Sequence, residues 1–170
     1  MDLRGMRQKG IKYVLNATAQ LDNFHEKGNG ITYLKINVKD KEGVDLSKFF
    51  AQCIGFIEEG VREGGILVHC IAGASRSVTF VLCYLMSSCG ERLVLKDAYN
   101  WTKARRSVAH PNNSFLVQLA KYEMALHDGK SSIARGKEKI WNCYELNTLK
   151  KEAKGHLDSK LVVGGGCSVM

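Results

Sequence analysis

The stretch that decides the fold of this 170-residue chain is His69-Cys70-Ile71-Ala72-Gly73-Ala74-Ser75-Arg76-Ser77. The run that leads into it, residues 65–69 including His69 itself, is mostly apolar and partly β-branched, which is typical of a buried strand. The residues after it, 78–86, are apolar and numerous enough for a core helix. A strand, a tight glycine-containing loop and a helix start bring unpaired backbone N–H groups to one point, where the helix dipole adds positive potential. The sequence therefore predicts an anion site in this loop.

The residue types in this stretch suit phosphate chemistry. Cys70 is expected to face a helix N-terminus and Arg76, a setting that lowers a thiol pKa to roughly 3.5–7.5 from about 8.5. Arg76 can hold two phosphate oxygens with its planar guanidinium, and the Ser77 hydroxyl can donate to the sulfur. The loop residues between them are expected to bind the phosphate: Ile71, Ala72, Gly73, Ala74 and Ser75. The alternative is that Cys70 is only a small buried apolar residue, the commonest fate of a free cysteine.

On these residues the chain resembles the dual-specificity branch of the cysteine-dependent protein tyrosine phosphatases, over roughly residues 10 to 127. Three flanking segments add to the resemblance: Tyr33-Leu34-Lys35-Ile36 followed by Asp40, Ala104-Arg105-Arg106-Ser107, and Pro111-Asn112-Asn113-Ser114-Phe115. The resemblance implies that a phosphoryl group passes to Cys70 and that the thiophosphoryl enzyme is then hydrolysed. It also implies a protein tyrosine phosphatase-like fold that works without a metal or another cofactor.

Such a reaction needs a group that protonates the departing oxygen, and two aspartates are candidates. Asp40 follows a strand-like segment and enters a polar loop, where the resembling family carries its acid. Asp45 directly precedes a helical pattern, which is typical of a helix cap. We therefore expect Asp40 to act as the acid and then, as the carboxylate, to take a proton from the attacking water.

Several neighbouring residues admit both a functional and a structural interpretation. The resemblance implies that Asn112 helps to hold the phosphate loop, although an Asn after Pro111 is equally typical of a turn or a helix start. Arg105 and Arg106 form either a second anion contact or, more commonly, a solvated helix end. His69 is interpreted as a buried orienting residue, because no second ligand lies at metal-site spacing.

The wider pattern predicts an α/β fold in which a central, mostly parallel sheet carries helices on both faces. The expected elements are strands at 11–17 and 31–36, a helix from 46 to 57 ahead of the catalytic strand, and helices at Leu95–Arg105 and Asn113–Leu126. Residues 1–10 are polar and basic where the resembling family has a strand. The sheet is therefore expected to lack that first strand at one edge.

Composition limits the class of protein. A chain of 170 residues with 45% hydrophobic content is expected to form one domain with an adequate core. It contains no apolar run long enough for a membrane span and opens with no secretory signal. Six cysteines without paired spacing predict free thiols in a reducing compartment. The net charge of +8 is spread out and lacks interleaved aromatic residues, so no nucleic-acid partner is expected.

The C-terminal part carries a separate set of predictions. The catalytic domain is expected to cover residues 1–128, and residues 129–170 a basic extension with a helix near 138–154. Gly164-Gly165-Gly166 are expected to form a flexible spacer. The chain ends Cys167-Ser168-Val169-Met170, a C-a-a-X pattern that favours farnesylation of Cys167. One lipid binds membranes only marginally, so the nearby lysines are expected to supply a second signal on a cytoplasmic membrane surface, with a nuclear location left open.

The leading hypothesis is a dual-specificity phosphatase whose partners are phosphorylated proteins. The loop residues Ile71, Ala72, Ala74 and Ser75 carry no positive charge, whereas the resembling inositide and RNA phosphatases tend to have basic residues there. Phosphatase action on an inositide or an RNA end is one alternative. A phosphoresidue-binding module without turnover is the other, and the intact Cys70 counts against it.

Overall fold

A four-stranded parallel sheet forms the centre of the computed structural model, which describes residues 3–25, 28–135, 139–140 and 161–165. The strands are β1 (Tyr13–Asn16), β2 (Thr32–Lys35), β3 (Ile66–Cys70), β4 (Ala134–Arg135), β5 (Lys139–Ile140) and β6 (Leu161–Gly165). The helices are α1 (Leu3–Gln8), α2 (Phe50–Glu63), α3 (Arg76–Met86), α4 (Leu95–Arg105) and α5 (Asn113–Leu126), with a 3-10 turn at Ser47–Phe49. Every helix in the described part of the chain is too short or too polar to span a bilayer.

The strands of the central sheet lie in the order β2-β1-β3-β6, and all neighbouring pairs are parallel. Successive side chains of a strand point to opposite faces of the sheet. Because successive residues of the two central strands, β1 and β3, are buried, both faces of these strands are covered. Val14 and Leu67 face a small apolar cluster that includes Met6 of α1, whereas Leu15 and Val68 face the larger core beneath α2 to α5. Helices therefore cover both faces of a parallel sheet, and the predicted α/β fold class is confirmed.

Helix α3 lies at the centre of the larger core. All eleven of its residues are buried, and it contacts β3, α2, α4 and α5. A helix enclosed on every side cannot shift without opening cavities in a close-packed interior. The helix therefore holds its first two residues, Arg76 and Ser77, in a fixed position relative to β3.

The N-terminal segment has no strand, as expected: Leu3–Gln8 form α1, and β1 is the first strand of the described residues. The edge of the sheet beside β3 is nevertheless paired, because β6 occupies it. The pairing runs along the whole of β3, from Ile66 opposite Leu161 to Cys70 opposite Gly165. An unpaired edge leaves a row of backbone donors and acceptors without partners, and an apolar, β-branched segment is suited to fill it.

The other boundaries agree with the sequence to different degrees. Helices α4 and α5 begin and end as predicted, and the first two strands are shorter than predicted by one to two residues at each end. The prediction of a helix near 138–154 is wrong at Lys139–Ile140, because these two residues form β5 and pair with β4. The rest of the predicted helix lies outside the described residues. Gly164 and Gly165 belong to β6 and pair with β3, so they are not the flexible spacer that was expected, while Gly166 lies outside the described residues. The domain boundary at residue 128 stays a prediction.

Removing β6 is expected to destabilise the domain. A chain ended after Lys160 loses five residue pairs with β3. At roughly 1 kcal/mol net per hydrogen bond, we expect the free energy of unfolding to fall by about 2–4 kcal/mol. Urea denaturation measures the change. A chain ended after Gly165 keeps β6 and is expected to unfold like the full chain, so equal stability of the two shortened chains would contradict the pairing.

Candidate active site

The loop of residues 71–75 lies between the carboxyl end of β3 and the first residue of α3. Cys70 ends the strand and is 1% exposed, and Arg76 begins the helix and is 4% exposed. Gly73, in the middle of the loop, has a φ of +64°, a left-handed conformation that favours glycine. The strand, the loop and the helix therefore form the predicted strand–loop–helix arrangement around the Cys70 sulfur.

The Cys70 thiol has a pKa below its ordinary value. Burial is the largest influence and acts to raise the pKa, but it is outweighed by stabilisation of the thiolate. The Ser77 hydroxyl donates to the sulfur at 3.2 Å, the backbone N–H groups of Ser77 and Gly73 also donate, and the Arg76 charge adds to their effect. The site is therefore built to hold a thiolate.

Asp40 lies against the same loop. Its Oδ1 accepts hydrogen bonds from the Ser75 hydroxyl at 2.8 Å and from the Asn112 side-chain amide at 2.9 Å. Its Oδ2 lies 3.6 Å from Nε of Arg76, and its side chain is 33% exposed. The carboxyl group is thus held beside the phosphate loop and also reaches solvent, as a group that exchanges protons with water must.

Asp45 has a local partner instead. Its Oδ1 accepts hydrogen bonds from both the backbone N–H and the hydroxyl of Ser47, at 2.9 and 2.6 Å. The hydrogen bond from the Ser47 hydroxyl lowers the pKa of Asp45. Both hydrogen bonds tie Asp45 to the first residue of the 3-10 turn, so its side chain is used locally.

Arg76 is oriented by groups that the sequence did not indicate. Its Nη1 donates to the Val38 carbonyl at 3.1 Å and to Oε1 of Gln20 at 3.4 Å. Its Nε is buried and has no hydrogen-bond partner among the described residues, although the Asp40 carboxylate is near. A buried guanidinium with an unused N–H is suited to receive an anion. The polar loop after β1 was the only signal for Gln20, and no sequence signal marks a backbone carbonyl such as that of Val38.

Asn112 makes contacts of both expected kinds, those of a helix cap and those of a link to the phosphate loop. Its Oδ1 accepts hydrogen bonds from the backbone N–H of Phe115 and the hydroxyl of Ser114, which caps α5. Its side-chain amide donates to Asp40, and its backbone N–H donates to the Ser75 hydroxyl at 3.1 Å. The start of α5 is thereby joined to the phosphate loop.

His69 is buried behind the loop. Its Nδ1 lies 3.3 Å from the carbonyl oxygen of Cys70, and burial lowers its pKa despite that contact. A neutral imidazole in this position carries no charge that would oppose or attract an anion, and its orienting role stays a prediction.

The two neighbouring arginines at the end of α4 have different environments. Arg105 stacks on the ring of Trp101, 3.8 Å from its centroid, and donates to the Trp101 carbonyl. Arg106 donates from Nε to the Gly73 carbonyl and from Nη2 to the Ala72 carbonyl, the second at 2.9 Å. Arg105 is thus an exposed helix end, as expected, whereas Arg106 is held against the loop and is not freely solvated. Cys167, the expected lipidation site, lies outside the described residues.

Comparison with known proteins links this geometry to one family. Residues 1–125 match the model of the dual specificity phosphatase catalytic domain. Dual specificity protein phosphatase 9 of Homo sapiens is 41% identical over 126 residues, which cover 74% of this chain and 32% of that protein. The chain thus spans about a third of the length of this curated relative.

Solved structures give the same match. The crystal structure of human DUSP28 superposes with a TM-score of 0.68 at 30% identity, covering 75% of this chain and 87% of that one. The structure of the human tyrosine phosphatase-like serine/threonine/tyrosine-interacting protein superposes with a TM-score of 0.65 at 27% identity, covering 73% and 83%.

Replacement of Ser77 by Ala tests the hydrogen bond to the sulfur. Loss of the donor removes stabilisation from the thiolate, so the pKa of Cys70 is expected to rise. Because the thiolate forms above the pKa, the rising limb of Cys70 alkylation against pH is expected to move to higher pH. Ser87→Ala removes another buried hydroxyl at the far end of α3 and is expected to leave the profile unchanged. An unshifted profile for Ser77→Ala would contradict the assignment.

Proposed function

Because the chain belongs to the dual-specificity phosphatase family by the match over residues 1–125, we propose that it hydrolyses phosphate esters of tyrosine, serine and threonine side chains in proteins. The observation that carries this proposal is the hydrogen-bonded, low-pKa Cys70 thiol beneath a loop that Arg76 and Asp40 adjoin. A nucleophile, an anion-binding group and a proton donor are the parts that phosphoryl transfer through a covalent intermediate requires.

In the first step the Cys70 thiolate attacks phosphorus. An S–P bond forms while the P–O bond to the substrate side chain breaks, and Asp40 gives its proton to the departing oxygen. The loop N–H groups and the Arg76 guanidinium hold the non-bridging oxygens, on which negative charge is concentrated. The anchoring of Asp40 on Ser75 and Asn112 supports this role, because it brings the carboxyl group to the loop from a distant part of the chain.

In the second step water attacks the cysteinyl phosphate. Asp40, now a carboxylate, takes a proton from that water, an O–P bond forms and the S–P bond breaks. The sulfur leaves as a thiolate, which the hydrogen bond from Ser77 stabilises. Inorganic phosphate is released, and Asp40 is again protonated for the next substrate.

The rim of the site favours a protein substrate. Ile71, on the loop itself, is 39% exposed, and Val108, in the segment that follows α4, is 53% exposed. Apolar side chains at a phosphate site favour contacts with peptide side chains over contacts with the many hydroxyl and phosphate groups of an inositide or with an RNA end. The loop residues Ile71, Ala72, Ala74 and Ser75 also lack the positive charge expected for those two substrate classes.

The Asp40→Asn variant is expected to slow turnover of substrates with poor leaving groups much more than turnover of substrates with good leaving groups. Serine and threonine alkoxides need protonation, whereas an aryl oxide with an electron-withdrawing group does not, so turnover of a phosphoserine peptide is expected to fall by roughly 10²–10⁴-fold. Turnover of an activated aryl phosphate is expected to fall much less. Asp45→Asn is the matched control and is expected to change neither rate, and Cys70→Ser is expected to abolish both. An Asp45→Asn loss that equals the Asp40→Asn loss would contradict the assignment of the acid.

A binding module without turnover is the second candidate. It is favoured by the similarity to the human tyrosine phosphatase-like serine/threonine/tyrosine-interacting protein, whose name describes an interaction. The same assay distinguishes the two functions. Tight binding of a phosphopeptide to the unmodified chain, without release of inorganic phosphate, would establish the second function and overturn the first.

We also propose that Cys167 is farnesylated and attaches the protein to a cytoplasmic membrane surface. The terminal Cys167-Ser168-Val169-Met170 pattern supports the modification. The basic balance of the chain supports attraction to anionic lipid, which a single lipid chain needs for stable binding. The reducing compartment that the unpaired cysteines predict also suits a thiolate nucleophile, because thiols are kept reduced there.

Incubation with farnesyltransferase and a labelled farnesyl donor tests this modification. The full chain is expected to take up label and to bind vesicles that contain phosphatidylserine, and Cys167→Ser is expected to do neither. Cys89→Ser removes an exposed thiol elsewhere and is expected to change nothing. Label that persists in Cys167→Ser would contradict the proposal.

A further inference from the structure

The outer side of the phosphate loop is held by the segment that follows α4. The carbonyl oxygens of Ala72 and Gly73 accept hydrogen bonds from the Arg106 guanidinium, and the Ala74 carbonyl accepts from the backbone N–H of His110 at 2.7 Å. Three successive loop carbonyls are thus bound from one side. The hydrogen bonds to the first two carbonyls both come from the Arg106 side chain.

A carbonyl and the N–H group of the same trans peptide point in opposite directions. The Ala72 carbonyl belongs to the peptide that carries the Gly73 N–H, and this N–H donates to the Cys70 sulfur. The Gly73 carbonyl likewise belongs to the peptide that carries the Ala74 N–H. When Arg106 holds these two carbonyls outward, it directs both N–H groups toward the sulfur and the anion site.

The hydrogen bonds from Arg106 matter because Gly73 lies between the two peptides that they hold. Its φ of +64° and its missing Cβ make rotation of the adjoining peptides easy. A rotated Ala72–Gly73 peptide would point its carbonyl oxygen at the thiolate, which would destabilise the charge and obstruct the anion. Hydrogen bonds from a guanidinium are about twice as strong as neutral ones, and its planar fork can serve two acceptors at fixed spacing.

We propose that Arg106 is a positioning residue for the phosphatase reaction, which fixes the Ala72–Gly73 and Gly73–Ala74 peptides with their N–H groups directed into the site. This role rests on the proposed function and extends it to a residue outside the loop. Two of the Arg106 nitrogens are engaged by carbonyls, so the role differs from the second anion contact considered for this residue.

Arg106→Gln tests the proposal, with Arg105→Gln as the matched control. Both variants remove one positive charge at adjacent positions, but Arg105 contacts Trp101 and not the loop. The first readout is the rate of Cys70 alkylation against pH, followed by mass spectrometry of the Cys70 peptide. The second is kcat/KM on an aryl phosphate with a single phosphate group.

For Arg106→Gln we expect the rising limb of alkylation to move to higher pH and kcat/KM to fall by roughly ten- to a hundredfold. Arg105→Gln is expected to change neither. Arg106→Lys keeps the charge but not the planar fork, so it is expected to recover only a small part of the loss.

Three results would overturn the proposal. Full recovery in Arg106→Lys would show that only the charge matters. Unchanged kcat/KM on the aryl phosphate, with a loss only on a doubly phosphorylated peptide assayed beside it, would identify a second anion contact. An unchanged alkylation profile in folded Arg106→Gln would exclude positioning of the Gly73 N–H, and this readout needs no turnover, so it remains decisive even if the chain binds phosphopeptides without hydrolysing them.

Discussion

The direction of the peptide groups in residues 71–75 is the constraint on which the rest of this site depends. A thiolate and a phosphate both require backbone N–H groups that point inward, and the carbonyls of the same peptides must then point outward. Buried carbonyls need donors, since an unpaired one costs free energy comparable to a lost hydrogen bond. The segment from Arg106 to Asn112 supplies donors to these carbonyls through the Arg106 side chain and the His110 N–H, and its Asn112 N–H also holds the Ser75 hydroxyl. The chemistry of the loop is therefore prepared by residues that do not contact the sulfur.

Three buried cysteines show how much the donors matter. Burial raises the pKa of Cys53 to about 12 and raises that of Cys83 well above its ordinary value. Cys70 is also buried, and its pKa is nevertheless lowered because Ser77 and Gly73 donate to it and Arg76 adds charge. The same residue type is thus a core group at two positions and the proposed nucleophile at the third. The difference lies in the position of Cys70 at the end of a strand that meets a helix N-terminus.

The parts predicted well from sequence are those that local physics governs. Helix α4 has clear apolar periodicity, and α5 starts at Asn112 with a side-chain cap, so both were placed with correct bounds. Local pattern also predicted a local partner for Asp45, which it has two residues away, whereas the role of Asp40 as the acid stays a prediction. The predicted helix at 138–154 failed at Lys139–Ile140 because pairing with a neighbouring strand outweighed local preference.

The sequence by itself determined the chemistry of the loop and the layering of the fold. Both follow from residue types at short spacing, Cys70 and Arg76 across a glycine loop and apolar runs with strand and helix periods. Only the tertiary structure decided that Gln20 and the Val38 carbonyl orient Arg76, that Arg106 holds the loop and that Leu161–Gly165 completes the edge of β3. Those contacts join residues far apart in the chain, and all but the Gln20 contact use backbone groups that every residue possesses, so no short pattern of side chains could have indicated them.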